Sequence, residues 1–167
     1  MIFETTRLAV REFTYNDATC FFQINGNETV MKHIRKALTR TASDNFLNEN
    51  IQFYRQHAGL GRWCVTEKTG SNFIGTFALI YLPFEDEKDK VQIGYALMPG
   101  AWGKGYATEL TMAGIGYYFK HHVYSELHAI TSVQNVPSKK VLLKCGFKEN
   151  GITQNGEELV QRYIYIK

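Results

Sequence analysis

Apolar and polar residues alternate from Arg7 to Phe13, a two-residue period that predicts a strand with one face on a core. Thr14 then stands where a helix cap belongs, with Asp17 in the first turn of a helix beginning at Tyr15. From Thr41 to His57 the pattern becomes helical, with Phe46, Ile51 and Phe53 among its apolar positions. Arg62–Glu67 and Asn72–Leu82 return to strand patterning and are joined by Lys68-Thr69-Gly70-Ser71, a hairpin signal. An acidic loop leads into a fourth strand, Val91 to Met98. Ala107, Leu110, Gly114 and Tyr117 mark one helical stripe and Met112, Ile115 and Phe119 a second, which predicts a helix sandwiched on both sides. Leu127–Val133 reads as a strand, Pro137–Lys144 as a helix and Leu159–Ile166 as a closing strand. Strands first, then strands alternating with helices, predict a mixed α/β (α+β) sheet around the central helix.

The 167 residues carry no repeat, low-complexity run or linker, so one domain spanning 1–167 is expected. A chain of this length buries roughly two-thirds of its unfolded surface. Apolar residues at 44% and aromatics at 14% supply a core and exclude a disordered tail. A net charge of +3, evenly spread, argues against nucleic acid as a partner. Cys20, Cys64 and Cys145 are odd in number and lack framework spacing, which points to a reducing compartment. No leader pattern precedes the first strand and no apolar run approaches the ~18 residues of a membrane span. The expectation is a soluble, cytoplasmic protein.

The chemistry concentrates where the fourth strand runs into the central helix, at Pro-Gly-Ala-Trp-Gly-Lys-Gly-Tyr-Ala-Thr, residues 99 to 108. A helix start leaves several backbone N–H groups without partners at the positive end of the dipole, a seat for an anion. Gly103 and Gly105 place no Cβ in the way of a phosphate and tolerate a tight turn. A Walker-type loop does not fit, because only Ala101 and Trp102 separate Gly100 from Gly103-Lys104, and Gly105 stands where Ser or Thr belongs. A dinucleotide fingerprint fits in part, with Thr108 replacing its third glycine. That motif, however, should open the fold and be followed by an acidic residue at the end of the next strand, whereas Glu126 begins that strand.

The string Trp-Gly-Lys-Gly-Tyr-Ala-Thr-Glu (Trp102 to Glu109) resembles the central motif of the GCN5-related N-acetyltransferase (GNAT) superfamily. More narrowly, it resembles the RimJ/RimL-like branch that acetylates N-termini of ribosomal proteins, with its small-molecule-modifying relatives. Thr6-Arg7-Leu8 leading into Val10-Arg11 is similar to that branch's opening strand, and Ile93-Gly94-Tyr95 to its fourth. Asn135-Val136-Pro137-Ser138 with Cys145-Gly146-Phe147 is similar to its last cofactor-contacting helix. The resemblance implies a largely antiparallel twisted sheet of about six to seven strands, with strands four and five splayed around acetyl-CoA. It also implies transfer of an acetyl group from acetyl-CoA, as co-substrate, to an amine in a ternary complex, with no metal.

Residue by residue, the resemblance maps backbone groups of Leu97 and Met98 to the pantetheine and thioester. The amides of Gly103, Lys104, Gly105, Tyr106, Ala107 and Thr108 map to the pyrophosphate, with Lys104 and Lys140 able to add charge and Asn135 at the pantetheine arm. Gly100 stands where the wider superfamily usually has Gln or Arg. Ser138, Val141, Leu142 and Cys145 share a helical stripe, which turns Ser138 inward. On the residues alone it reads first as an inert first-turn serine satisfied by local backbone. The resemblance makes it the acid that protonates the leaving thiolate, since Leu142 occupies the place of the tyrosine many members use.

The general base is unassigned. Gln92 stands where many relatives have a glutamate, and an amide accepts no proton at neutral pH. Glu85-Asp86-Glu87 is either a lure for a cationic amine or a solvated loop. His121 and His122 close the central helix with no metal-ligand spacing. The acceptor pocket falls at about Phe21 to Arg62, where nothing spells out a substrate: a protein N-terminus and a small-molecule amine both remain open. Gln92 and Leu142 also leave open a protein that binds acetyl-CoA without transfer. Tyr163 and Tyr165 make the closing strand an edge suited to a homodimer.

Overall fold

The computed structural model describes residues 1–167, with eight strands in one sheet and five α-helices. The strands are β1 (Phe3–Glu4), β2 (Leu8–Arg11), β3 (Gly61–Glu67), β4 (Phe73–Tyr81), β5 (Val91–Leu97), β6 (Glu126–Ser132), β7 (Lys148–Asn155) and β8 (Glu158–Ile166). The helices are α1 (Ala18–Asn25), α2 (Glu28–Met31), α3 (Arg40–Gln56), α4 (Tyr106–His121) and α5 (Val136–Lys144). The sheet order is β1-β2-β3-β4-β5-β6-β8-β7, antiparallel throughout except for β5 against β6. This is the mixed, largely antiparallel α/β sheet expected, with one strand more than the higher count.

Strand alternation sorts the two faces of the sheet. Trp63, Val65, Phe77, Leu79 and Ile93 lie on one side, in a single core with Leu110, Ile115 and Tyr118 of α4 and Leu142 of α5. The opposite face carries Cys64, packed with Phe13, Phe21, Leu47 and Ile51 beneath α1 and α3. Ala96 packs there too, under Ile24, Val30 and Met31. α4 approaches the sheet closely because Gly114 has no side chain: a Cβ there would stand 2.3 Å from Cζ of Phe77. Met112 is 55% exposed, so the second stripe is not fully covered and α4 lies on one face of the sheet rather than between two layers.

Three elements carry little signal in the sequence. β1 has two residues. α2 is a single turn, capped by Asn27, whose side chain accepts the Val30 N–H. β7 is mostly polar and exposed along its length, so it lacks the alternation that a half-buried strand shows. The dimer-edge expectation changes for this reason. β8 is paired on both sides, to β6 and β7, and Tyr163 is buried, so the outer edge of the sheet is β7.

Candidate active site

β5 and β6 run parallel and meet at one register pair, Gln92 with His128, before they diverge. The splay leaves an open gap at their C-terminal ends, with the starts of α4 and α5 on either side. Clefts beyond the carboxyl ends of parallel strands, where chain direction changes, are where α/β sheets receive ligands.

The start of α4 is built by the two glycines. Gly105 caps the helix at φ 79° and Gly103 has φ 73°, both in the left-handed region that costs an L-residue roughly 1–2 kcal/mol. None of the six consecutive backbone N–H groups from Gly103 to Thr108 donates to an acceptor in the protein. The run ends at Glu109, whose N–H returns to Gly105 C=O. Gly103, Lys104 and Gly105 are exposed. Six unpaired donors beside a helix dipole form a concave cradle whose complement is a multiply charged anion such as a pyrophosphate.

A brace from the bend between β1 and β2 holds this turn, and the sequence offered no sign of it beyond Arg7 itself. Arg7 Nε donates to Glu109 Oε2 at 2.7 Å, its N–H donates to Oε1 at 2.9 Å, and Nη1 donates to Lys104 C=O at 2.9 Å. The guanidinium also lies 4.4 Å from the Tyr106 ring centroid, and the Tyr106 hydroxyl donates to Glu67 at 2.7 Å. Burial pushes the Glu109 carboxyl up, but Thr5 and Arg7 outweigh it and hold the group below the usual range. Glu109 therefore stays ionised, and Arg7 cancels its charge next to the cradle.

On the β5 side of the gap, Leu97 and Met98 differ. The Met98 N–H donates to Ile74 C=O on β4 at 2.9 Å, and Met98 C=O accepts from Ala101. The Met98 N–H is thus spent and its C=O keeps one free lone pair, so the free backbone N–H on this side of the gap is that of Leu97. Alternation turns Leu97 away from β4, toward the gap. Its carbonyl accepts the Trp102 indole N–H at 2.7 Å, which leaves the N–H to face the gap.

On the α5 side, Asn135 caps the helix, its side-chain oxygen accepting the Ser138 N–H at 3.2 Å, so only its amide Nδ2 is unspent. Ser138 turns inward and accepts a hydrogen bond from the Tyr95 hydroxyl at 3.3 Å. This bond spans the gap from β5 to α5. Burial pushes the Tyr95 phenol up, so it keeps its proton at neutral pH. Tyr95 was visible in the sequence only as part of Ile-Gly-Tyr; its pairing with Ser138, 43 residues away, was not. Cys145 Sγ lies 3.8 Å from Thr108 C=O, which ties α5 to the first turn of α4. Lys140 is exposed and makes no ion pair, and the same holds for Lys104.

The remaining candidates act elsewhere. Gln92 Nε2 donates to Tyr81 C=O at 3.2 Å, a structural contact. Glu87 is held by Arg162 at 2.7 Å and Lys90 at 3.1 Å, and Glu85 pairs with Lys88, so the acidic run is largely neutralised. His122 stacks on Tyr118 and Tyr124. The dinucleotide reading finds no support in the topology, because one parallel strand pair does not make a doubly wound sheet.

Comparison with known proteins gives the same picture. Residues 7–148 match the acetyltransferase (GNAT) domain family. Over 166 residues the chain is 26% identical to an uncharacterized N-acetyltransferase, YoaA, of Bacillus subtilis, covering 98% of this chain and 88% of that protein. The fold superposes on a Salmonella typhimurium acetyltransferase that modifies the N-terminal serine of ribosomal protein L7/L12, with TM-score 0.80, 16% identity and coverage of 98% and 96%. It also superposes on spermidine N-acetyltransferase from Vibrio cholerae in complex with CoA and spermine, with TM-score 0.78, 20% identity and 95% of each chain covered.

Proposed function

Because the chain belongs to the acetyltransferase (GNAT) domain family, and is an acetyltransferase, we propose that it moves the acetyl group of acetyl-CoA directly to a primary amine. The observation that carries this reading is the row of six unpaired N–H groups, 103 to 108, opening α4 beside the β5–β6 gap. Acetyl-CoA supplies an activated acetyl thioester and a thiol leaving group. The N–H groups of Gly103 to Thr108 bind its pyrophosphate, and Lys104 and Lys140 add charge toward its phosphates. The Leu97 N–H and the amide of Asn135 hold the pantetheine from the two sides of the gap.

Ser138 donates its hydroxyl proton to the departing sulfur, and Tyr95 resupplies it through their hydrogen bond. The free amine loses one proton to water, water returns one to Tyr95, and the sulfur gains one from Ser138, so the transfer balances without a covalent enzyme intermediate. The relatives that act on an N-terminal serine or hold spermine both concern primary amines, which supports that acceptor class. The whole chain serves as one domain. Its three free cysteines suit the cytoplasm, and no helix is long and apolar enough to cross a membrane.

A second reading, acetyl-CoA binding without transfer, draws on Gln92, which supplies no carboxylate near the start of β5. Thiol release separates the two. With saturating acetyl-CoA, a panel of primary amines should include one that releases free CoA in proportion to acetylated product detected by mass. Tight binding with no product from any amine would leave the sensor reading in its place.

A further inference from the structure

The sheet face opposite α4 carries two cations without anions. Arg62, near the start of β3, stands directly opposite Ala78 on β4, which stands opposite Gly94 on β5. Directly paired residues share a face, so only a methyl group and a hydrogen lie between the base of Arg62 and the strand that borders the gap. Two strand spacings make this floor roughly 10 Å wide. A Cβ on Gly94 would meet nothing within 4 Å, so the floor is open at the gap. Arg35, from the loop between α2 and α3, reaches the same region. Its guanidinium carbon is 4.6 Å from the Phe46 ring centroid, and that of Arg62 is 5.0 Å from the same ring.

Neither arginine meets a carboxylate. Arg35 Nη2 donates to the side-chain oxygen of Asn25, while its Nε is buried with no acceptor. The Arg62 guanidinium makes no hydrogen bond or ion pair within the protein; only its backbone groups are engaged, by Asn50 and Tyr54. Arg35 and Phe46 line an open surface depression of about 340 Å³, which Arg62 does not itself line and which has one acid on its rim, Glu49, exposed and bonded to neither arginine. Burial pulls the Arg62 guanidinium down to about 10, helped by the like charge of Arg35, and burial lowers Arg35 too; both remain cations at neutral pH. Two desolvated like charges held together without a counterion are unfavourable in the folded protein by itself, and such arrangements concentrate where a ligand completes them.

We propose that Arg62, with Arg35 behind it, is an anion subsite for the acceptor, so that the amine acetylated by this protein carries a carboxylate. The carboxylate docks on the arginines while the amino group extends across Ala78 and Gly94 to the gap. This rests on the acetyltransferase reading above. It also runs against a polycationic acceptor, since two of the three acids in the run 85–87, Glu85 and Glu87, are already paired with Lys88, Lys90 and Arg162. The carboxylate belongs either to a free amino acid or to an acidic side chain near a peptide N-terminus, and both enter the test.

The experiment compares kcat/KM for matched pairs: ω-amino acids against their carboxamides, and short peptides opening Ser-Asp against Ser-Asn, with spermidine as the cationic arm. In the wild type, one carboxylate series is expected to be preferred over its amide by about tenfold or more. Arg62→Gln should erase that preference through KM for the carboxylate, Arg62→Lys should keep part of it, and stabilisation by acetyl-CoA should persist in both. Equal rates for carboxylate and amide, or spermidine as the best acceptor, would overturn the subsite while leaving the transferase intact. If no amine turns over, thermal shift of the CoA-bound protein decides. Stabilisation by carboxylates alone, lost in Arg62→Gln, upholds the subsite against the transfer reading; stabilisation indifferent to the carboxylate overturns the subsite.

Discussion

Gly105→Val is expected to weaken acetyl-CoA binding by about 100-fold while the protein stays folded. Gly105 caps α4 at φ 79°, where a β-branched residue is strained by more than the roughly 1–2 kcal/mol that any L-residue loses there. The cap is exposed, and the nearest atom to an added Cβ is Arg7 Nη2 at 3.6 Å, so the strain can relax by rotating the turn rather than by unfolding the core. That rotation redirects the N–H groups of Gly105 and Tyr106, two of the six in the cradle. Each hydrogen bond to a charged acceptor contributes about 1.5–3 kcal/mol, so losing two accounts for the loss. Calorimetric titration with acetyl-CoA, paired with urea unfolding, measures both halves of the claim. Gly116→Ala is the control on the same helix: that position is exposed with open space around it, and the substitution should raise stability by up to about 1 kcal/mol without touching affinity. An unchanged dissociation constant in Gly105→Val would mean that the cradle does not hold the cofactor.

The second large effect falls on turnover. Ser138→Ala and Tyr95→Phe are each expected to lower kcat by about 100-fold, the low end for a positioned proton donor, with little change in KM for acetyl-CoA. Tyr95→Phe keeps the ring that packs on the core and removes only the hydroxyl that donates to Ser138 at 3.3 Å. Because the two hydroxyls act as one chain, the double variant should be about as slow as either single one rather than multiplicatively slower. Steady-state kinetics on all four proteins tests this. A multiplicative double variant would separate the residues into independent roles. A kcat unchanged in both singles would remove the pair from the reaction.

The parts of this site that were legible in the sequence are those whose requirement is local. Two glycines opening a helix after a strand announce left-handed backbone and free N–H groups, and the structure has both at Gly103 and Gly105. The stripe Ser138-Val141-Leu142-Cys145 announced an inward serine by helical spacing alone. What was not legible depends on pairing between distant segments. Whether Leu97 or Met98 faces the gap is set by which of them bonds to Ile74 on β4, a matter of register that no local pattern specifies. Tyr95 meets Ser138 only because β5 and β6 part after Gln92 and bring α5 across the opening. Arg7 reads as an ordinary polar position of a strand until Glu109 and the Lys104 carbonyl are placed beside it. β7 was missed for the opposite reason: it is a strand by pairing, but both its faces are solvated, so its sequence has no apolar alternation to show.

Thermal unfolding with acetyl-CoA, CoA and NAD added separately tests the central claim most directly. At about 100 times its dissociation constant a ligand adds ~2.7 kcal/mol of stability, a shift that is readily visible. Acetyl-CoA and CoA should each raise the midpoint and NAD should leave it unmoved. Stabilisation by NAD, or no response to either CoA species, would contradict the assignment of residues 103 to 108 as the seat of the CoA pyrophosphate.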